Sequence, residues 1–334
     1  MAALCLAVAL LAGAASSAGV FRRGSGETRL ATSARGESYR YAVDGIYAWN
    51  AQRVVSEGVG WDFFTLFVAV PSLLAASVFV ARGSYRGRLF AVGMLGYFFY
   101  QYFEYATYWA YGPLFLLFIT IYATSLAGIV WMVSSLDVRG MAARFSDRFP
   151  RKAMAALCFV MSFALVFVMW LPLVLRSMTG KVDGILLGQT TLVVQAFDLG
   201  LIVPLAVFTG VAILRRRPIG YLLSAVFVVK AAAMACAIAA MLLSAWAVEG
   251  RLETLPFIFF VGVALTAFWI FIRVFSSVDI PGSTEPGVRA FRDTVELQTG
   301  WDTYRGLNSW DDARWVLDSD LAYRFYARDK FPLG

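Results

Sequence analysis

Long apolar runs divide this sequence of 334 residues and constrain its fold more than any other feature. Hydrophobic residues make up 60% of the chain and charged residues only 15%, a balance that a soluble domain of this size cannot hide from water. An apolar run of about 20 residues is long enough to cross a bilayer as a helix. The sequence therefore predicts an all-α, polytopic transmembrane helix bundle with about eight spans.

Hydropathy averaged over about 19 residues locates these spans. They are predicted at 2–20, 62–81, 88–110, 113–134, 152–175, 191–214, 218–246 and 254–276. Residues 1–20 are interpreted as a first transmembrane helix or a signal-like segment, because small residues end the apolar run but no basic residue precedes it. The segment 21–61 that follows is predicted to be extracytoplasmic.

Among the short loops, basic residues are concentrated in every second one. The loops concerned carry Arg82, Arg86 and Arg88; Arg139, Arg144, Arg148, Arg151 and Lys152; and Arg215, Arg216 and Arg217. The long segment 21–61 also carries several, but long translocated segments follow the charge rule poorly. Because positively charged loops remain in the cytoplasm, an even number of spans places both termini there, and we predict a multi-pass protein of a bacterial inner membrane. The charges lie between apolar runs rather than along a stripe, so the expected partner is the lipid bilayer and not nucleic acid.

Two parts of the sequence match one another at an offset of 133 residues, with 69–82 aligned to 202–215 without a gap. The matched landmarks include Pro71 with Pro204, Arg82 with Arg215 and Gly87 with Gly220. Chance similarity between apolar stretches is the alternative, but these landmarks are not common aliphatic residues. The match predicts two parallel four-helix repeats, whose matched parts are 62–137 (spans 2–4) and 191–279 (spans 6–8). Between them, 138–190 supplies a cytoplasmic loop, span 5 and an outer loop.

The tail, residues 280–334, is predicted to be cytoplasmic and differs from the rest in composition. Proline and glycine mark its start, and aromatic residues such as Trp301, Trp310 and Trp315 then alternate with charges. Aromatic residues at this density predict a segment that docks on the membrane, the bundle or a protein partner, rather than a free disordered tail.

Three ionisable side chains lie deep inside predicted spans, namely Glu104, Asp198 and Lys230. A rise of about 1.5 Å per residue places all three at a similar depth in the outer half of the membrane. A charge at this depth costs at least ~2.5 to 3.5 kcal/mol, so each should face the bundle interior beside a partner or a wet cavity. Two interpretations stay open, a polar pocket for a small ligand or ion and a buried ion pair that only fixes helix packing.

Span 3 carries polar side chains at intervals of three and four residues. Tyr97, Gln101 and Glu104 are predicted to form its interior face, whereas Tyr105 is assigned to an aromatic belt at the outer interface. Gln195 lies one turn before Asp198 in span 6 and is a further candidate for ligand binding. Candidate ligand- or ion-binding residues are therefore Glu104, Asp198, Lys230, Tyr97, Gln101 and Gln195.

Glycine and proline residues within the spans have structural interpretations. Gly93 and Gly96 are predicted close-packing positions in span 3. Pro71, Pro172 and Pro204 are predicted to kink their helices.

The chain contains no histidine, which excludes imidazole metal ligands and histidine-based acid–base catalysis. Its three cysteines lack the spacing of a zinc site, and no Walker A, nucleophile-elbow, metalloprotease or dinucleotide-binding motif occurs. The sequence therefore predicts no catalytic residue, no metal site and no cofactor, and favours a protein that is not an enzyme.

Short structural landmarks occur at Arg82-Gly-Ser-Tyr-Arg-Gly-Arg-Leu-Phe, Leu95-Gly-Tyr-Phe-Phe-Tyr, Gly112-Pro-Leu-Phe-Leu-Leu and Arg216-Arg-Pro-Ile-Gly-Tyr. Over about residues 60–245 the chain resembles a group of uncharacterised multi-pass bacterial inner-membrane proteins with no assigned activity. The resemblance implies the fold and location but no chemistry. Members of that group often carry a histidine just before the aspartate of span 6, but this chain has none before Asp198, so a proton relay through histidine does not carry over.

Three functional hypotheses follow. The favoured one is a protein that binds or transports a small molecule or ion through the polar intramembrane residues. The second is a non-catalytic assembly subunit whose tail docks on a partner. The third, a minor alternative, is a retinal-binding protein that uses Lys230 for a Schiff base, although an eighth span follows that helix.

Overall fold

The computed structural model describes residues 1–180 and 184–278, which form a bundle of long helices. In chain order these are α1 (Ala2–Phe21), α2 (Gln52–Ala81), α3 (Tyr85–Thr107), α4 (Phe115–Ser134), α5 (Arg151–Met178), α6 (Val193–Leu214), α7 (Pro218–Glu249) and α8 (Thr254–Ser276). Within the described ranges, seven of them, all except α3, are long and apolar enough to cross a membrane. The predicted all-α polytopic bundle is therefore confirmed, and this multi-pass protein contacts the lipid bilayer. The tail, with its predicted docking role, lies outside the described residues.

Helix α3 also has the length of a transmembrane helix, since its 23 residues span about 34 Å. Its hydropathy is lower because arginines lie in its first turns and polar side chains line its interior face. It packs against α2, α4 and α7, so its polar side chains are turned towards other helices and away from lipid. A helix enclosed in this way does not need an apolar surface on every side.

Helix α2 begins at Gln52, ten residues before the predicted span and within the segment 21–61. These extra turns are polar and are held by Arg53, whose Nε lies 2.5 Å from Glu57 Oε1 on the same helix. The Arg53 guanidinium also contacts Glu249 and Glu253, both at 2.9 Å, near the end of α7. Hydropathy detects the apolar part of a helix and not its polar extension, which explains the difference.

The loops predicted to be extracytoplasmic meet at one end of the bundle. A hairpin of β1 (Thr28–Thr32) and β2 (Ser38–Ala42) follows α1. Glu37, at its turn, is buried and accepts hydrogen bonds from the backbone N–H groups of Gly184, Leu187 and Gly188. The hairpin is thereby attached to the loop before α6.

The loops predicted to be cytoplasmic meet at the opposite end. Arg86, at the start of α3, donates to the backbone carbonyl of Val278 after α8, and Val278 pairs with Phe145. Arg151, at the start of α5, donates to the hydroxyl of Tyr221 on α7 at 3.3 Å. Successive loops therefore lie at opposite ends of the bundle in the structure, as the charge pattern predicted.

Three helices contain a wide π-helical segment just before a proline. These segments are Thr65–Ala69 in α2, Ala164–Trp170 in α5 and Asp198–Ile202 in α6. Proline lacks an N–H group and clashes with the carbonyl of the preceding turn, and a π turn accommodates both effects without ending the helix. The prolines predicted to kink their spans follow these segments at Pro71, Pro172 and Pro204.

The two regions that match in sequence also share local backbone geometry at the same offset. The π segments Thr65–Ala69 and Asp198–Ile202 are 133 residues apart, and each is followed by an α-helical part that ends at equivalent positions. Arg82 and Arg215 then adopt the same dihedral angles, φ −80° and ψ 6°. The equivalent helices α3 and α7 pack against each other, as expected for two parallel halves. The duplication itself stays a prediction.

Candidate functional site

The polar face predicted for α3 points into the bundle. Tyr97 and Gln101 are fully buried, and Glu104 is 4% exposed. Tyr105, predicted to lie in an interfacial belt, is instead 2% exposed and packs edge-on against Trp61 of α2. The belt assignment of Tyr105 was therefore wrong, and the interior face of α3 extends one residue beyond Glu104.

Asp198 and Tyr100 connect α6 to this face of α3. The Tyr100 hydroxyl donates to Asp198 Oδ1 at 2.7 Å, and the indole N–H of Trp170 in α5 donates to Asp198 Oδ2 at 2.9 Å. Asp198 and Trp170 lie at one end of the π segments of α6 and α5, respectively. Each carboxylate oxygen thus has a donor from a different helix.

Glu104 lies one turn after Tyr100 on the same face. Its Oε1 atom is buried and has no hydrogen-bond partner among the described residues. An unpaired buried carboxyl oxygen costs about 1 to 3 kcal/mol or more, so this atom has unused capacity to bind a proton, a cation or a donor group.

Lys230 of α7 completes this group, but not as an ion pair. Its Nζ atom lies 4.0 Å from the centre of the Tyr100 ring, a cation–π contact. No carboxylate oxygen of the described residues lies within 4.0 Å of it, and Asp198 and Glu104 interact with it electrostatically from farther away. The ammonium therefore lies near two carboxyl groups without direct contact with either. We call Tyr100, Glu104, Trp170, Asp198 and Lys230 the carboxyl site.

Tyr97 and Gln101 belong to a second polar group, around α2. The Tyr97 hydroxyl accepts from the indole N–H of Trp61 at 3.0 Å and lies 2.7 Å from the hydroxyl of Thr65. Thr65 is 2.8 Å from Gln101 Oε1, whereas Gln101 Nε2 has no partner among the described residues. These two predicted site residues are thus one turn away from the carboxyl site, and their contacts are with uncharged groups.

A third buried carboxyl, Asp62, was not among the predicted site residues. It is fully buried, and it accepts hydrogen bonds from the hydroxyls of Tyr47 and of Tyr105, the latter at 3.3 Å. The predicted span began at this residue, at the edge of the apolar run. The signal that could have found it is the helical Arg53–Glu57 spacing, which extends the helix upstream and places Asp62 in its interior.

Gln195 lies one turn before Asp198 in α6 and is partly exposed. Its side chain forms no hydrogen bond with the described residues, so its predicted role in ligand binding rests on position alone. The described residues contain no cluster of three or more potential metal-ligating side chains.

Comparison with protein-family models, with curated proteins and with solved structures gave no match to this chain.

Proposed function

We propose that this membrane protein binds and transports a small polar solute or an ion at the carboxyl site. The observation that carries the proposal is Glu104, a buried carboxyl group with an unpaired oxygen. It lies beside a second buried carboxyl, Asp198, whose oxygens are already occupied. A pair that served only to pack helices would leave no such free acceptor.

The charge of the site favours a bound cation or proton. Two ionised carboxyl groups and one ammonium carry one excess negative charge, and an uncompensated buried charge is very costly in a low-dielectric interior. A proton on Glu104, or a cation against its free oxygen, would neutralise the excess negative charge. Exchange of the proton for the cation is the simplest way in which such a site couples the transport of two solutes.

The backbone around the site also supports a binding role. Two of the three helices with π segments, α5 and α6, contribute side chains to it from those segments. Wide turns of this kind are frequent at functional sites, because they loosen the regular ladder and leave carbonyl groups available.

Flux through proteoliposomes tests the proposal, with protons, Na⁺ and K⁺ as probes and an internal pH-sensitive or cation-sensitive dye as readout. We expect the wild type to exceed protein-free liposomes for at least one probe, and Glu104→Gln and Asp198→Asn to reduce that flux at least about tenfold, since about 1.4 kcal/mol of lost binding is a factor of ten. Lys230→Gln should change how the flux depends on pH.

Glu253→Gln is the matched control, because it also neutralises a carboxylate but at the outer end of the bundle. Wild-type flux equal to that of empty liposomes for all three probes would contradict the proposal. So would an equal flux through the wild type and the three site variants.

The two other hypotheses stay predictions. An assembly subunit depends on the tail, which lies outside the described residues. A retinal protein depends on Lys230 alone, and addition of retinal to the purified protein, followed by an absorbance spectrum, tests it.

A further inference from the structure

A basic cavity lies at the end of the bundle opposite the hairpin, far from the carboxyl site. It has a volume of about 460 Å³ and a mainly apolar lining, to which the exposed residues Arg139, Arg215 and Arg217 also contribute. Lys230 lies 12 residues into α7 from Pro218 at the cavity, which is about 18 Å along the helix. The cavity is therefore separate from the site proposed above, and nothing inferred for it depends on that proposal.

The arginines of this cavity are exposed and form no ion pair with the described residues. Among the described residues, no carboxylate lies within 4.0 Å of their guanidinium groups, and the nearby Asp137 accepts from the backbone N–H groups of Arg139 and Gly140 instead. The N-terminus of the long helix α7 at Pro218 adds partial positive charge at the same place. An anionic group at this cavity would therefore meet positive charge from both sources.

The rest of the cavity wall is apolar and open to the membrane. Phe208, Val211 and Ile219 line it, and Phe208 is 53% exposed on the outside of the bundle. A free phosphate ion would gain nothing from these side chains, whereas a lipid has both an anionic headgroup and an apolar chain. The combination matches the basic pockets that hold acidic headgroups at the ends of transmembrane helices.

The run of arginines at this point includes one in an unfavourable backbone conformation. Arg216 adopts a positive φ of 53°, a region that is unfavourable for residues other than glycine. The equivalent position in the first matched region is Gly83, with φ 75°. The first region has one arginine, Arg82, where the second has three in succession.

From the cavity, its charge and its apolar wall, we infer that this protein binds the phosphate of an acidic phospholipid against Arg139, Arg215 and Arg217, with an acyl chain along Phe208 and Val211. The alternative is that the arginines only set the orientation of the chain in the membrane, with no site for an individual lipid.

Lipid retention by the purified full-length protein distinguishes a specific lipid site from arginines that only set the orientation. The protein is transferred to a neutral detergent with equal amounts of phosphatidylglycerol and phosphatidylcholine, and native mass spectrometry measures which lipid remains bound. We expect preferential retention of phosphatidylglycerol, and a loss of about fivefold in that retention for each of Arg215→Gln and Arg217→Gln, as one arginine contributes about a factor of five near a membrane surface.

Two variants separate a site from a general charge effect. Arg82→Gln removes the equivalent arginine of the first matched region, which is exposed like Arg215 but does not line the cavity, and should leave retention unchanged. Val211→Trp fills the cavity without a change of charge and should abolish retention. Melting temperatures in the same detergent show that each variant is folded.

Equal retention of the two lipids by the wild type would overturn the inference. An equal loss for Arg82→Gln and Arg215→Gln would show a general charge effect and overturn it as well. Competition by millimolar glycerol phosphate would identify a site for soluble phosphate compounds instead of a lipid site.

Discussion

Asp62 shows how one buried side chain joins distant parts of this chain. Its carboxyl group, inside α2, accepts from Tyr47 in the outer segment and from Tyr105 on α3. Burial and the adjacent carboxyl raise the pKa of Tyr47 well above its usual value, so this hydroxyl stays protonated and donates at any physiological pH. Asp62 thereby holds the segment between α1 and α2 on the bundle.

Replacement of Asp62 by leucine should therefore be much more damaging than replacement by asparagine. Leucine leaves the buried Tyr47 hydroxyl without an acceptor, at about 1 to 3 kcal/mol, whereas the Tyr105 hydroxyl can still donate to the Gly58 carbonyl at 3.3 Å. Asparagine keeps one acceptor oxygen, so we expect Asp62→Leu to lower the free energy of unfolding by about 1 to 3 kcal/mol and Asp62→Asn by roughly half as much or less. Unfolding in mixed micelles of increasing denaturing detergent measures both. Equal losses for the two variants would show that the hydrogen bonds contribute little.

Helix α3 shows what the sequence could predict and what it could not. The spacing of three and four residues correctly predicted that Tyr97, Gln101 and Glu104 face the interior, because helical periodicity depends only on the local sequence. It could not predict that Tyr97 and Gln101 contact α2 while Glu104 lies beside α6, since these neighbours depend on how the helices pack. The contact of Trp170 with Asp198 was likewise invisible, because the two residues come from separate spans.

Two glycines of α3, one turn apart, give a matched test of helix packing. Both were predicted to be close-packing positions, but only Gly93 is one. A Cβ atom at Gly93 would lie 2.5 Å from Val229 Cβ on α7, whereas nothing lies within 4 Å of a Cβ atom at Gly96. The prediction for Gly96 was wrong because sequence spacing does not show which side of the helix meets α7.

We therefore expect opposite effects of the same substitution at these two positions. Gly96→Ala should raise the free energy of unfolding by up to about 1 kcal/mol, the gain in helix propensity. Gly93→Ala should lower it by about 1 to 3 kcal/mol, because a methyl group there forces α3 and α7 apart and overpacking costs about that much. Thermal unfolding of the purified variants in one detergent shows whether each substitution stabilises or destabilises the protein. Stabilisation by Gly93→Ala would contradict the close contact between the two helices.

For the molecule as a whole, the order of helices and the alternation of loops followed from hydropathy and charge. Both depend on the bilayer, which acts on every span in the same way. The sequence predicted a common depth for Glu104, Asp198 and Lys230, but it predicted neither the contacts of Asp198 with Tyr100 and Trp170 nor the basic cavity, since these are assembled from elements that are far apart in sequence. The offset of 133 residues relates the two polar groups of the bundle to one another. It pairs Thr65 with Asp198 and Tyr97 with Lys230. The uncharged pair of the first matched region thus corresponds to the charged pair of the second.

Parallel halves require that equivalent positions face the same side of the membrane, and this can be measured directly. In a variant without its three native cysteines, single cysteines are introduced at Ala34, Arg82 and Arg215, which are all exposed. A thiol reagent that cannot cross the membrane is then applied to intact cells and to lysed cells. We expect Ala34→Cys to react in intact cells, and both Arg82→Cys and Arg215→Cys to react only after lysis, because basic loops remain in the cytoplasm. Reaction of Arg82→Cys and Arg215→Cys from opposite sides would exclude parallel halves, and reaction of both in intact cells would reverse the orientation assigned to the whole bundle.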